Sequence, residues 1–426
     1  MRFLARMLYA VAAKLATVAS AVVPPGASKA AIAVRARRGI RRRYVNWANA
    51  NRDPSRPLLW MHAPSVGEGL QARPVLTLMK SRRPEVQLAY TFFSPSAEEF
   101  SRTLEVDFRD YLPFDSGAEM GAALDSLRPR ALVFSKLDVW PELVRQAERR
   151  AVRLGMISAT LGAGSGRRSR AAHLLLRDAY ASLDAVGAVD QTDADRLVQL
   201  GVRAEVIEVT GDTRFDQVWQ RAQSVDPESR LQSQLADDRP TLVAGSTWPS
   251  DEAPLLEAFA RVRERVPRLR LVIAPHETAS EHLASILRWA AQHHLSLARV
   301  DDASATADVV LVDRFGVLGE LYALADVSFV GGGFHDAGLH SVLEPAAFGA
   351  PVLFGPRHDR SRDAVMLLAA RAARSATDAA DIEHALLDWF ENSEARRETG
   401  AQARAAVERG RGAAERSLRL VERLLA

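Results

Sequence analysis

The chain has 426 residues, of which 47% are hydrophobic and 26% charged, and its formal net charge at pH 7 is +3. This composition is typical of a folded protein, and the length favours two domains of about 200 residues each. The chain contains no cysteine, which excludes disulfide bonds and thiolate metal sites and fits a reducing compartment.

The positive charge is concentrated at the N-terminus. Residues 1–56 hold twelve Lys and Arg and a single acid, Asp53, hence a charge of +11, which leaves −8 for the remaining 370 residues. Because the body of the protein is acidic, a nucleic-acid-binding function is disfavoured. The basic N-terminal segment needs a different explanation.

Residues 1–45 are predicted to form a membrane-associated leader. Apolar side chains recur at helical spacing in its first part, which indicates an amphipathic helix: Leu4, Met7, Leu8, Val11, Leu15 and Val18. The longest uncharged run of this segment, Leu15 to Ser28, is shorter than the roughly 20 residues that cross a bilayer. Together with the basic sequence "RARRGIRRRY" behind it, the helix is expected to lie on an anionic membrane surface. An ordinary helix packed on the body and a signal peptide are the alternatives, and Lys14 in mid-segment disfavours the signal peptide.

Short apolar runs alternate with helical patterns from residue 58 onward. In the first half the predicted strands are Leu58–Ala63, Val86–Phe93, Ala131–Lys136, Arg153–Ala159, Ala185–Asp190 and Glu205–Thr210. A polar stretch around residues 220–240 interrupts this rhythm, which resumes with Thr241–Thr247, Arg268–His276, Asp308–Asp313, Val327–Gly333 and Pro351–Pro356. Such alternation predicts an α/β fold with mostly parallel sheets. We therefore predict two Rossmann-like, doubly wound domains facing a cleft, residues 46–222 and 223–400, and a C-terminal helix over residues 401–426.

The sequence "LLWMHAPSVGEGLQARP", residues 58–74, allows two interpretations of Glu68. Ser65 and Glu68 stand three apart after an apolar run, which is the pattern of a helix capping box. A glycine-flanked carboxylate just beyond a buried strand is also where catalytic groups of α/β enzymes lie. Pro74 weakens the capping interpretation, because a helix that begins at Ser65 would carry this proline in its third turn. A helix that begins at Pro74 would instead leave residues 65–73 as an exposed loop.

Four predicted strands of the second half end in glycine-rich or polar sequence: "AGSTWPSDE", "IAPHE", "FVGGGF" and "LFGPRH". Ligands of open α/β sheets bind outside the carboxyl ends of the strands, where glycine lets a backbone approach a phosphate. A tight turn explains one such ending equally well, but four of them predict a nucleotide site. The first strand ends in "HAPSVGEG", which lacks the G-x-G-x-x-G spacing of dinucleotide enzymes, and the chain has no P-loop pattern. "DAD" at 193–195 is read as the acidic first turn of a helix, so no metal site is expected.

Taken in order, these motifs resemble the 3-deoxy-D-manno-octulosonic acid (Kdo) transferase family of lipopolysaccharide biosynthesis. The matching segments lie between about residue 40 and residue 390: "HAPSVGEGLQARP", "TFFSPSAEE", "YLPFD", "FSKLDVWPEL", "ISATL", "VTGDTRFDQV", "AGSTWPSDE", "IAPHE", "FVGGGF" and "LHSVLEPAAFGAPVLFGP". The resemblance implies an inverting, metal-independent glycosyltransferase of the two-Rossmann GT-B type. It implies transfer of Kdo from CMP-Kdo to a lipid A precursor (lipid IVA), without a cofactor. It also implies an N-terminal anchor, or peripheral attachment, at the cytoplasmic face of the inner membrane.

The resemblance also implies roles for individual residues. The family's general base is the Glu of its "S-V-G-E" motif, which falls on Glu68 and would take the proton of the acceptor hydroxyl. Gly245, Ser246 and Thr247 would present N–H and hydroxyl groups to the CMP phosphate, and Glu344 would bind the ribose hydroxyls. The other residues expected to bind the donor are Pro275, His276, Gly316, Gly331, Gly332, Gly333, His340 and Ser341. His340 and Glu344 stand four apart and would share one helix face, where a plain i,i+4 pair is the alternative.

Three residues predicted to be catalytic depart from the family pattern. Many members read "M-E-T-E-L-W-P" where this chain has "F-S-K-L-D-V-W-P", so Lys136 and Asp138 replace two glutamates. Lys136 could meet the donor's carboxylate, whereas a surface ion pair at a strand end is the alternative for both residues. Arg214 stands where many members have Lys, which keeps the charge and adds a bidentate fork. Two rival functions stay open. One is another GT-B enzyme that uses a UDP-sugar; the other, suggested by the altered Lys136 and Asp138, is a membrane-bound scaffold with weakened catalysis.

Overall fold

The computed structural model describes residues 28–162, 165–303 and 306–426, together with Tyr9, Val11 and Ala13. It divides into two compact units, residues 1–217 with 411–426, and residues 218–410. Each unit contains one seven-stranded sheet, and the strands pair in parallel. The predicted α/β fold with two doubly wound halves is confirmed.

The first unit is built on strands β1 to β7. These are β1 (Leu58–His62), β2 (Gln87–Phe92), β3 (Phe108–Tyr111), β4 (Ala131–Ser135), β5 (Arg153–Ala159), β6 (Ala185–Ala188) and β7 (Ile207–Val209). Its helices are α1 (Lys29–Ala36), α2 (Ile40–Asn51), α3 (Val66–Arg82), α4 (Ala97–Arg102), α5 (Gly117–Leu127), α6 (Pro141–Glu148), α7 (Arg170–Ala181) and α8 (Gln191–Leu200). Helix α9 (Arg214–Gln223) runs from the first unit into the second. The strand order β3-β2-β1-β4-β5-β6-β7 reverses between β1 and β4, which is where open α/β sheets bind ligands.

The second unit repeats this plan. Its strands are β8 (Thr241–Thr247), β9 (Arg270–Pro275), β10 (Leu297–Arg299), β11 (Val309–Leu311), β12 (Val327–Val330), β13 (Val352–Phe354) and β14 (Ala373–Ser375). Its helices are α10 (Arg230–Leu235), α11 (Pro249–Arg265), α12 (Ser280–Gln292), α13 (Leu318–Leu321), α14 (Leu343–Phe348), α15 (Arg362–Ala369), α16 (Ala379–Glu391) and α17 (Ser393–Arg409). The order β10-β11-β9-β8-β12-β13-β14 reverses between β8 and β12.

The central strands are buried along their whole length, which explains why the sequence identified them. Every residue of β1, β2, β4 and β9 is buried, as expected when helices cover a parallel sheet. Three strands were not predicted, namely β3, β10 and β14. All three lie at sheet edges, where half-exposed residues form no continuous apolar run.

The C-terminal segment differs from the single helix predicted over residues 401–426. α17 ends at Arg409, and a separate helix, α18 (Ala413–Leu425), follows a break at Gly412, whose φ is 85°. The apolar face of α18, with Leu418, Val421 and Leu424 buried, packs on α3 and on β4, β5 and β6 of the first unit. The predicted boundary at 400/401 is therefore wrong: the second unit ends at Gly410, and α18 belongs to the first unit.

The predicted leader boundary at residue 45 falls inside a helix of the first unit. In α2, Tyr44 is buried and its hydroxyl donates to the Tyr111 carbonyl at 2.8 Å. Several basic residues counted with the leader also have structural partners: Arg37 is buried beneath the Phe93 ring, and Arg43 pairs with Asp110. The amphipathic helix predicted for the first residues lies outside the described part of the chain, apart from Tyr9, Val11 and Ala13. Within the described part, no helix is long and apolar enough to cross a membrane.

Candidate functional site

The segment between β1 and Pro74 is helical, so the predicted exposed loop over residues 65–73 is wrong. Helix α3 begins directly after Ser65 and carries Pro74 in its interior. A proline within a helix removes a hydrogen bond and crowds the carbonyls of the preceding turn. The carbonyl that loses its helical partner is that of Leu70, four residues before Pro74. The next carbonyl, that of Gln71, accepts a hydrogen bond from Thr213 Oγ1 at 2.6 Å.

Glu68 lies in the first turn of α3 but does not form the capping box that its spacing suggested. The Ser65 side chain makes no capping hydrogen bond to the helix backbone, and its hydroxyl donates instead to Glu68 Oε2. Lys136 Nζ lies 3.5 Å from Glu68 Oε1, and the two side chains are 41% and 19% exposed. A hydroxyl and an ammonium group therefore orient the carboxylate, which keeps access to solvent.

Lys136 and Asp138 follow β4, at the reversal point of the first sheet. Lys136 has a left-handed backbone, with φ at 66°, a conformation that residues with a Cβ seldom adopt. Its N–H donates to the Ile157 carbonyl of the neighbouring β5 at 2.9 Å, which stabilises the turn. Backbone strain of this kind concentrates at functional sites.

Asp138 is anchored by three side chains, one of which, Arg167, forms an ion pair with it. Trp140 Nε1 donates to Oδ2 at 3.0 Å, and Arg167 Nη2 donates to Oδ1 at 3.1 Å. His62 Nε2, fully buried at the end of β1, lies 3.4 Å from Oδ2. Burial by itself raises the pKa of Asp138, but the hydrogen bond and charge of His62 and the charge of Arg167 outweigh it and lower the pKa below its usual value. Asp138 is thus a fixed, ionised carboxylate.

These residues border one cavity of about 330 Å³ in the first unit, lined by Pro64, Glu68, Lys136, Leu137, Asp138, Thr160, Gly162, Ser165 and Arg167. It joins the residues that follow β1, β4 and β5, as expected at a reversal point. Arg214 is not among the lining residues. Its guanidinium instead forms two hydrogen bonds to Asp212 Oδ2, at 2.7 and 2.8 Å.

In the second unit the glycines predicted to bind a phosphate allow two strand-end loops to touch. A Cβ on Gly331 would overlap the Ser246 carbonyl, and one on Gly245 would overlap the Tyr322 hydroxyl. Ser246 itself has a left-handed backbone, with φ at 55°. The hydroxyl of Thr247, expected to face the phosphate, is buried and donates to Glu252 Oε1 at 2.7 Å. Among the two hydroxyls predicted here, only that of Ser246 is therefore available to a ligand.

Next to these loops an aromatic cluster forms around Trp248. Its ring stacks on His335 at a centroid distance of 4.2 Å and lies 4.6 Å from the ring of His276, which follows Pro275 at the end of β9. His340 Nε2 accepts a hydrogen bond from Trp248 Nε1 at 3.2 Å. Burial and the neighbouring His276 lower the pKa of His340 to about 4, so this imidazole is neutral at pH 7.

His340 and Glu344 do not share a helix face, because α14 begins only at Leu343. The predicted i,i+4 arrangement is therefore wrong, and Ser341 precedes the helix as an exposed residue. Burial raises the pKa of Glu344, an effect that the charge of Arg221 partly offsets. Arg221 lies 3.9 Å from Glu344 Oε1 and also donates to the Gly316 carbonyl at 3.4 Å. Gly316 and Glu344, both predicted to bind the donor, are thus joined by one cation.

Within the described ranges no group of three or more His, Asp or Glu side chains has the geometry to hold a metal ion.

Comparison with known proteins identifies the family. The family model described as 3-Deoxy-D-manno-octulosonic-acid transferase (kdotransferase) matches residues 35–217. The 3-deoxy-D-manno-octulosonic acid transferase of Bordetella pertussis is 32% identical over 352 residues, which cover 78% of each chain. The chain belongs to the Kdo transferase family. The transferase of Haemophilus influenzae is 25% identical over 394 residues, which cover 91% of this chain and 92% of that protein.

Solved structures bear on the fold of this glycosyltransferase. The crystal structure of UDP-GlcNAc 2-epimerase from Neisseria meningitidis, bound to UDP-GlcNAc, matches with a TM-score of 0.64 over 86% of this chain and all of that chain. Only 12% of the aligned residues are identical, so the likeness concerns the fold alone. It agrees with two Rossmann-like units of the GT-B type.

Sequence reasoning missed several residues that this Kdo transferase brings into its sites. His62 and Trp140 stand inside two matched motifs, "HAPSVGEG" and "LDVWP", so a signal existed although no role was assigned to them. Trp248 likewise lies within "AGSTWPSDE". Arg167 belongs to no motif and follows β5 in a 3₁₀ turn, Gly166–Arg168, so only the structure reveals its contact with Asp138.

Proposed function

We propose that this protein transfers Kdo from CMP-Kdo to a lipid A precursor with inversion at the anomeric carbon, and that Glu68 is the general base. The observation that carries the proposal is the carboxylate of Glu68 at the reversal point of the first sheet, on the wall of a cavity. An inverting transfer needs a carboxylate that accepts the proton of the attacking hydroxyl. Family membership supports the choice of Kdo as the transferred sugar.

In the proposed reaction the acceptor hydroxyl binds beside Glu68 Oε1 or Oε2. Its proton passes to the carboxylate while its oxygen forms a bond to the anomeric carbon of Kdo, and CMP leaves with the electrons of the broken bond. Ser65 and Lys136 orient the base through the contacts described above. Lys136 is also the cation expected to meet the carboxylate of the donor sugar.

The second unit is proposed to bind the CMP part of the donor. Supporting this, the end of β8 and the glycine-rich loop after β12 lie at the reversal point of the second sheet, where nucleotides bind in such folds. Ser246 would donate to the phosphate, and Glu344 would accept hydrogen bonds from the ribose. Pro275 and His276 would border the base.

Attachment to the cytoplasmic face of the inner membrane is proposed on the apolar and basic pattern of residues 1–45. Removing residues 1–27, which hold its apolar part, leaves α1 with its N-cap Ser28, whose hydroxyl accepts from Ala31 N. The shortened protein should lose most of its binding to vesicles with anionic lipids, and high salt should weaken binding of the full chain. Equal binding of both proteins at low and high salt would contradict the proposal.

The proposed base is tested by Glu68→Gln, assayed with freshly generated CMP-Kdo and a lipid A precursor followed by mass spectrometry of the lipid. Turnover should fall about 10²- to 10⁴-fold, the usual contribution of a positioned proton acceptor. Glu119→Gln is a matched control, because Glu119 stands three residues after Ser116 in the first turn of α5, where Ser116 caps the Glu119 N–H. The control should keep full turnover, and both variants should keep the melting temperature and the affinity for CMP. Near wild-type turnover in Glu68→Gln would end the assignment.

A further inference from the structure

Asp251 is a fully buried carboxylate in the first turn of α11. Its oxygens accept three backbone N–H groups: Trp248 N at 2.9 Å and Gly332 N at 2.7 Å on Oδ2, and Phe334 N at 2.9 Å on Oδ1. Trp248 follows β8, whereas Gly332 and Phe334 follow β12. One side chain therefore joins the two loops that flank the reversal point of the second sheet.

The end of β8 has a backbone conformation that needs such support. Ser246 has φ at 55°, and the left-handed region is costly for serine because of its Cβ. Gly332, with φ at 91°, adopts this region readily because it has no Cβ. A conformation such as that of Ser246 persists only where the surrounding contacts determine it. Charge-assisted hydrogen bonds from buried backbone groups to a carboxylate are among the stronger contacts available for this purpose.

The N–H groups that Asp251 holds cannot also serve a ligand. Gly331 N is likewise taken, because it donates to the Gly245 carbonyl at 2.9 Å. The glycine loop therefore does not present these three N–H groups, of Gly331, Gly332 and Phe334, to a phosphate. What Asp251 fixes is the path of the loop and, through it, the ring of His335, which stacks on Trp248.

We propose that Asp251 is a positioning residue of the nucleotide site, which holds residues 246–248 and 331–335 in the conformation that binds CMP. The inference rests on the proposed function, since it takes the second unit as the donor-binding unit. Asp251 does not contact the nucleotide in this account. The three N–H donors stabilise its buried carboxylate and tie it to both loops.

The test is Asp251→Asn in the full-length protein, with CMP as the probe. Asparagine has nearly the same shape, but one of its two terminal atoms is a donor and cannot accept the N–H group that faces it. The matched control is Asp326→Asn: Asp326 Oδ2 accepts Thr241 N at 2.9 Å at the start of β8, the opposite end of that strand. Both variants lose a carboxylate that binds backbone N–H groups, but only Asp251 joins the site loops.

We expect Asp251→Asn to weaken CMP binding about ten- to a hundredfold in calorimetry, and Asp326→Asn to leave it unchanged. Amide hydrogen exchange without nucleotide should accelerate at Trp248, Gly332 and Phe334 in Asp251→Asn, and should stay slow there in the control. Unaltered affinity and exchange in a folded Asp251→Asn protein would overturn the inference. Equal losses of CMP affinity in both variants would also overturn it, because they would indicate general destabilisation.

Failure of the proposed function gives a different result. If the wild-type protein does not bind CMP, the assignment of the donor falls, whereas hydrogen exchange still decides whether Asp251 orders the two loops. Wild-type exchange rates in Asp251→Asn would then refute the loop-ordering role by themselves.

Discussion

A neutral histidine in the second unit should make the stability of the protein fall as the pH is lowered below neutrality. Trp248 Nε1 can only donate a hydrogen bond, and it donates to His340 Nε2 at 3.2 Å, so this nitrogen must be unprotonated. Burial, together with His276 and His335 nearby, lowers the pKa of His340 from 6.5 to about 4, against the opposing charge of Asp251. In the unfolded chain the histidine takes up a proton near pH 6.5, whereas in the folded state it does so only near pH 4.

The sign and size of the effect follow from this difference. Between pH 6.5 and 4 the unfolded state binds more protons, so the free energy of unfolding decreases as the pH falls. For one such group the decrease between pH 7.5 and pH 5 is at most about 2 kcal/mol. His340 is only partly buried, and solvent screening reduces the expected effect to about 1 kcal/mol. For a unit of this size that is a loss of about 2–4 °C in melting temperature.

The assay compares the pH dependence of thermal unfolding in wild type, His340→Gln and His384→Gln, each as the full chain. Glutamine can accept the Trp248 N–H through its amide oxygen without titrating, so His340→Gln should lose about 1 kcal/mol less than wild type between pH 7.5 and pH 5. His384 is a suitable control because its side chain is 79% exposed on α16 of the same unit. Its variant should follow wild type. If His340→Gln and wild type lose stability equally, the argument from the Trp248 hydrogen bond is refuted.

Three further substitutions have defined outcomes. Glu344→Ala should weaken CMP binding about ten- to a hundredfold by calorimetry, since a charge-assisted hydrogen bond to the ribose is lost; wild-type affinity would remove this residue from the site. Gly331→Ala should cost about 1–3 kcal/mol in chemical denaturation, because the new methyl group meets the Ser246 carbonyl, and a neutral result would mean that the two loops are not held in contact. Leu424→Ala should cost about 2–5 kcal/mol, because Leu424 is buried against Gly155 of β5, while CMP affinity, a property proposed for the other unit, stays unchanged.

The buried strands were the part of the fold that the sequence predicted best. β1, β4 and β8 were predicted with ends within one residue of those observed, because strands buried on both faces appear as continuous apolar runs. Edge strands such as β10 (Leu297–Arg299) are half exposed and leave no such run. The edge strand β7 is an exception, because it was predicted although none of its residues is buried.

The sequence motifs predicted which residues gather at the strand ends better than they predicted the partners of those side chains. The argument from Pro74 failed because it considered the sequence of the helix alone, whereas the folded helix continues through the proline and contacts Thr213, distant in sequence, through the Gln71 carbonyl. The same limit explains why the Thr247 hydroxyl was expected to face a ligand, although Glu252 accepts it. A motif identifies which residues gather at a strand end, but the direction of each side chain depends on neighbours from other elements. The catalytic role of Glu68 and the other assigned roles stay predictions.

Helix α18 follows the second unit in sequence but belongs to the first unit. The order in which the two units can fold therefore differs from the order in which they are synthesised. The first sheet is complete in sequence once residue 209 has been made, yet the face of β5 that carries Gly155 remains uncovered until Leu424 and its neighbours exist. The second unit, residues 218–410, is continuous in sequence. All of it is synthesised after β7 and before α18. The second unit can therefore close its core while the first still exposes apolar surface, which reverses the usual N-terminal-first order of domain folding during translation. The first unit therefore keeps apolar surface uncovered until α18 has been made.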